Sequence, residues 1–376
     1  MADCIVIGGG LIGMATAREL ALAGLKVTVV ERGELGMESS WAAGGILTSL
    51  CPWQEPAIVN DLSRYCREMY EQYAGELFKE TGIDTGWQRS GLLLLDSPDQ
   101  DAILSWAARE NLGCEVLDHA GIRAMEPLLE ATTRQAVWIP AIAQVWTPRL
   151  IRAMRSSLAG LGVRILENTA VLSIHLRQGR FDSIATVQGP LAAETAVVAG
   201  GAWSAGLLAQ LGYALALKPV RGQILCLKAP FPCIRALLLR DGHYLIPRRD
   251  GHLLIGSTVE DSGFDKRTTA EARDRLAAMI RRFSPALEAC PLVHQWAGLR
   301  PATSDGLPLI CQVPGIVGLY LNTGHFRNGI LQAPGSARLL VDILLSRASF
   351  MPVDAFTCRD VLTVRGRSIQ AKNIGI

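Results

Sequence analysis

Apolar residues along this chain fall into two rhythms. Residues 4–7 form a short unbroken apolar run, the pattern of a strand buried on both faces, and residues 26–30 read as a second strand. Between them a helical pattern runs to about Ala23, kept slim by Ala15, Ala17 and Ala21, and Gly24 closes it as a C-terminal cap. Residues 58–81 read as an amphipathic helix packed on the outside of the sheet. Strand patterns follow at 91–95 and 136–145, with a helix at 98–111 between them and a turn at Met125-Glu126-Pro127. Pro148 opens a helix to Leu161, and strands follow at 163–166 and 170–176, with a hairpin signal at Gly179-Arg180. A strand at 195–199 ends in Gly200-Gly201, and residues 218–222 read as a crossing between domains. Strands at 223–227, 244–247 and 253–257 precede a helix at 269–283. A strand at 316–321 then leads through 323–330 into a helix reaching about Leu345, where Pro334 is tolerable in the first turn. The tail from Thr357, basic at Arg365 and Arg367, is expected to fray.

Composition narrows the class. A length of 376 residues suggests two domains. Lys plus Arg total 37 against 35 Asp plus Glu, a net charge of +2, and no polybasic run occurs, which argues against a nucleic-acid partner. Hydrophobic residues make up 49 % but are spread out, so no transmembrane helix is expected. The first strand begins by residue 3 or 4, leaving no room for a signal peptide, so the expected location is the cytoplasm. Nine cysteines, an odd number without a C-x-x-C, argue against a disulfide framework or a metal site.

The chemistry begins at the first strand-to-helix turn. Gly8, Gly10 and Gly13 stand at G-x-G-x-x-G spacing. The first allows the tight turn, the second lets a pyrophosphate approach the backbone, and the third lets the helix lie close to the sheet. The free N–H groups of the helix start then face phosphate. Glu31, at the end of the second strand, is placed to accept hydrogen bonds from an adenosine ribose. This motif alone does not separate NAD from FAD. Residues 33–56 carry small side chains at Ser39, Ser40, Gly44, Gly45 and Ile46 beside Trp41, a segment that lets backbone N–H groups approach a flat ligand. Gly200 marks a second sheet edge at the cofactor. The 323–330 junction repeats the strand–glycine–helix arrangement, and its helix N-terminus is expected to face the pyrimidine side of a flavin.

Two such junctions far apart imply a discontinuous α/β fold. It comprises a Rossmann-like cofactor-binding domain from 1–85, 146–218 and 299–376, and a strand-rich substrate domain of mixed sheet plus helices from 86–145 and 219–298.

The ordered motifs IGGGLIG, ESSWAAGGIL, AGGAWS, YLIPRRDGHLLIGST, WAGLRPATSDGLP and TGHFRNGILQAP span nearly the whole chain. In them the chain resembles the D-amino-acid-oxidase-like flavoenzymes, and within that family most closely the bacterial glycine oxidases of thiamine biosynthesis. The resemblance implies FAD rather than NAD. It implies Leu11 and Ile12 on the pyrophosphate, Glu31 and Arg32 on the adenosine, and Val171 on the adenine. Ser39, Ser40, Gly44, Gly45 and Ile46 would line the flavin. His325, Phe326, Arg327, Asn328, Gly329, Ile330 and Leu331 would wrap the isoalloxazine. Arg300 and Arg327 would meet the substrate, with Tyr244 holding its carboxylate. A guanidinium gripping the carboxylate bidentately fixes the α-hydrogen toward the flavin, and a neutral substrate amine makes a side-chain base unnecessary for hydride transfer. Sarcosine oxidases of the wider family attach flavin through a cysteine just after this arginine. Pro-Ala-Thr-Ser-Asp-Gly stands here instead, so FAD is expected to be non-covalent. The loop 48–56 is expected to border the pocket, and Val259 falls where some relatives carry a longer, narrowing side chain.

The implied partners are a small amino acid or amine (glycine, sarcosine or a short D-amino acid) and molecular oxygen, with peroxide, ammonia and an oxo acid as products and a homo-oligomer as the assembly. A D-amino-acid dehydrogenase delivering electrons to a quinone, and a flavin-binding protein without turnover, remain as alternatives.

Overall fold

The computed structural model describes residues 2–129, 133–230 and 233–364. Its first sheet runs, edge to edge, through Leu309–Gln312, Leu319–Thr323, Gly189–Val198, Ala2–Ile7, Val27–Val30 and Arg164–Leu166. Every pairing in that path is parallel except the one between the first two strands. Side chains of the Ala2–Ile7 strand alternate between two cores. Cys4 and Val6 pack under the helices, and Ile5 and Ile7 pack on the opposite face with Ile184 and Leu321. Both faces are therefore covered, which is why the strand reads as an unbroken apolar run.

The helix Leu11–Leu22 closes as its sequence foretells. The Gly24 N–H donates to Ala21 O at 2.9 Å and the Leu25 N–H to Leu20 O at 3.1 Å, a Schellman ending. The 25-residue helix Ala57–Thr81 packs mainly on other helices rather than directly on the sheet. It meets Gly329–Leu344, where a Cβ on Gly335 would overlap the Cys66 Sγ.

Pro334 is not in the first turn of Gly329–Leu344 but one turn further in. The carbonyl its missing N–H leaves free is that of Ile330. That carbonyl accepts the buried Tyr70 hydroxyl at 3.0 Å, which is how the helix carries an internal proline. Tyr70→Phe should therefore strand the Ile330 carbonyl and cost about 1–3 kcal/mol. Thermal unfolding followed by circular dichroism should show the midpoint lowered by roughly 2–6 °C; an unchanged midpoint would refute this account.

The second sheet runs through Leu292–Thr303, Leu217–Lys228, His252–Gly256, His243–Pro247, Leu237–Arg240, Leu92–Leu95, Gln135–Ile139 and Glu115–Asp118. It is antiparallel except where Leu237–Arg240 meets Leu92–Leu95. Leu93 and Leu95 face a core closed by the helix Ala270–Phe283, and Leu92 and Leu94 face another with Trp106 and Tyr244.

Several expectations need correction. Residues 218–222 are not a bare crossing but part of the Leu217–Lys228 strand. The strand expected at 316–321 lies at Leu319–Thr323, because Ile316 turns back on Val313 and Gly318 follows. The tail does not fray at Thr357: Leu362–Val364 pairs with Tyr213–Leu215. Arg365 and Arg367 lie outside the described residues. No described helix is long and apolar enough to cross a membrane.

Candidate active site

A continuous cavity of about 500 Å³ runs from the ends of the parallel strands to the second sheet. At its first end the backbone turns at Gly8 with φ +112°, where a Cβ would sit 2.5 Å from Ala199 O. Gly8, Gly10, Leu11 and Ile12 line the wall. Gly13 does not. It sits where a Cβ would overlap the Gly8 carbonyl oxygen, so it fixes the helix onto the strand rather than touching the cavity. The Leu11 N–H donates to Ser40 Oγ at 2.8 Å, which ties the glycine turn to the 39–46 segment.

Glu31 lines the cavity with its carboxylate fixed by backbone donors, Gly9 N–H at 2.7 Å and Gly33 N–H at 2.9 Å. Arg32 lies 3.7 Å over the Trp203 ring and pairs with Glu38 at 2.7 Å. Val171 and Gly200 also line this end. So do Trp203, Leu207 and Gln210, which sequence reasoning missed; the AGGAWS run was their only signal.

The middle of the cavity is bounded by Ser39, Ser40, Gly44, Gly45 and Ile46. The segment is not an open loop throughout, since Ser39–Ala42 forms a helical turn. The Ser39 hydroxyl donates to Leu299 O of the second sheet. Arg248, buried, donates to Gly44 O at 2.7 Å and to Val145 O at 2.9 Å, holding this segment from behind. Burial pulls its guanidinium down to about 10.

The far end joins both sheets. Arg300, on Leu292–Thr303, lies across Gly222 of the neighbouring strand, where any Cβ would overlap its guanidinium. Its Nη2 donates to Ser257 Oγ at 2.7 Å and its Nη1 to Thr258 O at 3.2 Å. Among the described residues it forms no salt bridge. Burial pulls its pKa down, opposed chiefly by the neighbouring Tyr244. Tyr244 is buried, which pushes its hydroxyl up, while the Arg300 charge and Ser257 pull it back. Arg327 lines the same end, its Nε buried without a partner. Ser257, Ile224 and Gly222 line it too and were not anticipated.

His325, Phe326, Gly329 and Ile330 line the wall. His325 is 3 % exposed, and neither ring nitrogen has a partner. Burial holds it down to about 3, so the ring is neutral. Asn328 and Leu331 do not line the cavity. Asn328 turns away to Glu55 at 3.0 Å and Ser49 at 2.6 Å, and Leu331 is buried in the helical core. Thr48 and Leu50 do bring the 48–56 loop to the pocket, but Val259 is exposed and off its wall.

These residues fit FAD. A glycine turn that a side chain would fill, a fixed carboxylate at the adenosine end and two unpartnered histidine nitrogens at the other suit an elongated dinucleotide with a flat polar ring. Among the described residues no cluster able to hold a metal ion occurs.

Known proteins point the same way. The FAD dependent oxidoreductase family, DAO, matches residues 3–343. A glycine oxidase of Pseudomonas aeruginosa is 43 % identical over 91 % of this chain and 94 % of its own. The bifunctional protein ThiO/ThiG of Synechocystis is 33 % identical over 96 % of this chain and 54 % of its own. The crystal structure of glycine oxidase from Geobacillus kaustophilus superposes with a TM-score of 0.90 at 31 % identity, covering 95 % of this chain and 98 % of that one.

Proposed function

We propose that this chain, which belongs to the FAD dependent oxidoreductase family, oxidises glycine and other small amines such as sarcosine and short D-amino acids. The overall conversion takes the amino acid, oxygen and water to an oxo acid, ammonia (methylamine in the case of sarcosine) and hydrogen peroxide. The observation that carries this reading is the Arg300 guanidinium, half-buried and without a salt bridge among the described residues, beside a buried Tyr244 at one end of the cofactor cavity. A protein that only stores FAD has no use for a desolvated carboxylate clamp.

FAD, when bound, supplies the two-electron acceptor for the substrate Cα–H bond. Arg300 grips the carboxylate bidentately, and Tyr244 donates a further charge-assisted hydrogen bond worth about 1.5–3 kcal/mol. Together they fix which face of Cα is presented. Arg327 adds a second positive charge. Two guanidinium groups disfavour a substrate ammonium, so they assist its loss of a proton before oxidation. His325, held neutral above about pH 3, neither accepts that proton near neutrality nor opposes the substrate carboxylate.

The domain assignment belongs to this reading. Residues 1–85, 146–218 and 299–376 make the FAD-binding domain, and 86–145 and 219–298 the substrate domain. In support, Arg300 and Tyr244 come from opposite sides of that division and meet at one end of the cavity. The 54 % share of the Synechocystis bifunctional protein supports a further step, in which the imine is handed to thiazole synthesis before water reaches it.

The test is anaerobic titration of the purified flavoprotein with glycine, sarcosine and D-alanine, followed by air. Bleaching of the flavin and recovery with peroxide is the expected result. Recovery without peroxide, or none in air, would favour a dehydrogenase, and no bleaching a storage protein. The reduction rate should climb with pH as the bound amine deprotonates. No site group should reverse it between about pH 6 and 10, because His325 is already neutral and the Tyr244 hydroxyl is pushed above its ordinary value of about 10. A flat profile would reject the neutral-amine route.

A further inference from the structure

Outside the cavity, two thiols touch. Cys311, in the edge strand Leu309–Gln312, has its Sγ 2.9 Å from the Sγ of Cys358, just past the short turn Asp354–Phe356. Cys311 is buried and Cys358 half-buried, so the pair meets solvent on the Cys358 side. The two lie 47 residues apart. Between them the chain carries the Leu319–Thr323 strand, the 324–328 turn and the helix Gly329–Leu344. That stretch supplies the part of the cavity wall from Asn322 to Ile330.

We propose that Cys311 and Cys358 are a peroxide-oxidisable pair, a modification site that converts this wall into a covalently closed loop. The Cys358 thiolate attacks one oxygen of hydrogen peroxide. An S–O bond forms, the O–O bond breaks, and hydroxide leaves as water on taking a proton. Cys358 is then a sulfenic acid. The Cys311 sulfur attacks the Cys358 sulfur. The S–S bond forms, the S–O bond breaks, and the departing hydroxide takes the Cys311 proton as a second water. Two thiols lose two hydrogens and two electrons, and one peroxide becomes two waters.

The roles follow from placement. Cys358 is the half-exposed member and meets the oxidant first. Cys311 is buried and in contact with Cys358, so it is shielded from peroxide but placed to attack the Cys358 sulfur once that is oxidised. Closing a loop of this length restricts the unfolded chain and so stabilises the segment that follows the parallel sheet.

The experiment treats the holoenzyme with a small excess of reagent peroxide, so its outcome does not depend on amine turnover. The expected result is loss of two hydrogen masses and two fewer titratable thiols, with a Cys311–Cys358 linked peptide in a non-reducing digest. The unfolding midpoint should rise by roughly 5 °C and fall back with dithiothreitol. Cys358→Ser and Cys358→Ala, at a half-buried position, should fold and lose all of these responses. Addition of oxygen at Cys358 without a linked peptide would overturn the proposal, as would the same mass loss persisting in both variants.

Discussion

Replacing Arg300 with alanine should lower kcat/KM for glycine by roughly two to three and a half orders of magnitude, about 3–5 kcal/mol. Deletion removes a guanidinium on the cavity wall that is held by neutral oxygens, Ser257 Oγ and Thr258 O, and so is free to spend its charge on a ligand. Affinity for a non-oxidisable carboxylate should fall in parallel, because the same contact is made in the ground state. Arg300→Lys should recover only part of the loss, since an ammonium keeps the charge but not the two-pronged geometry. Gly222→Ala offers a gentler version. Its Cβ would overlap the Arg300 guanidinium and displace it without deleting it, at about 1–3 kcal/mol. Steady-state kinetics with inhibitor titration checks all three, and unchanged inhibitor affinity in Arg300→Ala would remove Arg300 from the substrate site.

The second large effect is expected at Gly13. Its Cβ would overlap the Gly8 carbonyl oxygen, a backbone atom with no flexible end to swing aside. Gly13→Ala should therefore lift the start of the Leu11–Leu22 helix from the sheet, at about 3–5 kcal/mol. The Leu11 and Ile12 backbone would move away from the phosphates with it. The variant should purify largely colourless, with FAD affinity weakened on the order of 100-fold or more. Gly75→Ala, where an added Cβ meets nothing within 4 Å, is the matched control and should keep its flavin. Visible absorbance per protein and fluorescence titration of apoprotein with FAD decide the matter. Full yellow colour in Gly13→Ala would show that the helix can sit elsewhere.

What could be read from the sequence followed from how one-sided each residue's job is. Leu92–Leu95 and Ala2–Ile7 are covered on both faces and announce themselves as apolar runs. Glu115–Asp118 went unread because it is an outer strand with only Leu117 buried. Leu292–Thr303 and the start of Leu217–Lys228 were hidden by prolines. Pro219 pairs with Pro301 in register, at a place where Leu217–Lys228 is paired on one side only, so the missing N–H groups break no central ladder. At the site, the glycines of the first turn were legible because their chemistry is local, whereas Arg300 and Arg327 were implied by the family resemblance. Trp203, Gln210 and Ser257 were not, because only the meeting of distant segments brings them to the cavity. Asn328 and Leu331 failed for the reverse reason: sequence adjacency to His325 says nothing of which side of a helix start faces the ligand.

The order of strands in the first sheet also sets a timetable. The glycine turn and its helix are synthesised long before the neighbour on one side of Ala2–Ile7, which is Gly189–Val198. Asn322 reaches back across 306 residues to the Thr16 hydroxyl at 3.0 Å. At ~5–20 residues per second, the phosphate-binding turn waits roughly 15 s to a minute for the segment that completes its layer. During that interval the core around Val6 and Met14 lacks Leu331 and Ala333, which share it in the complete layer. The stretch of cavity wall from Asn322 to Ile330 arrives as late, so flavin capture follows its synthesis.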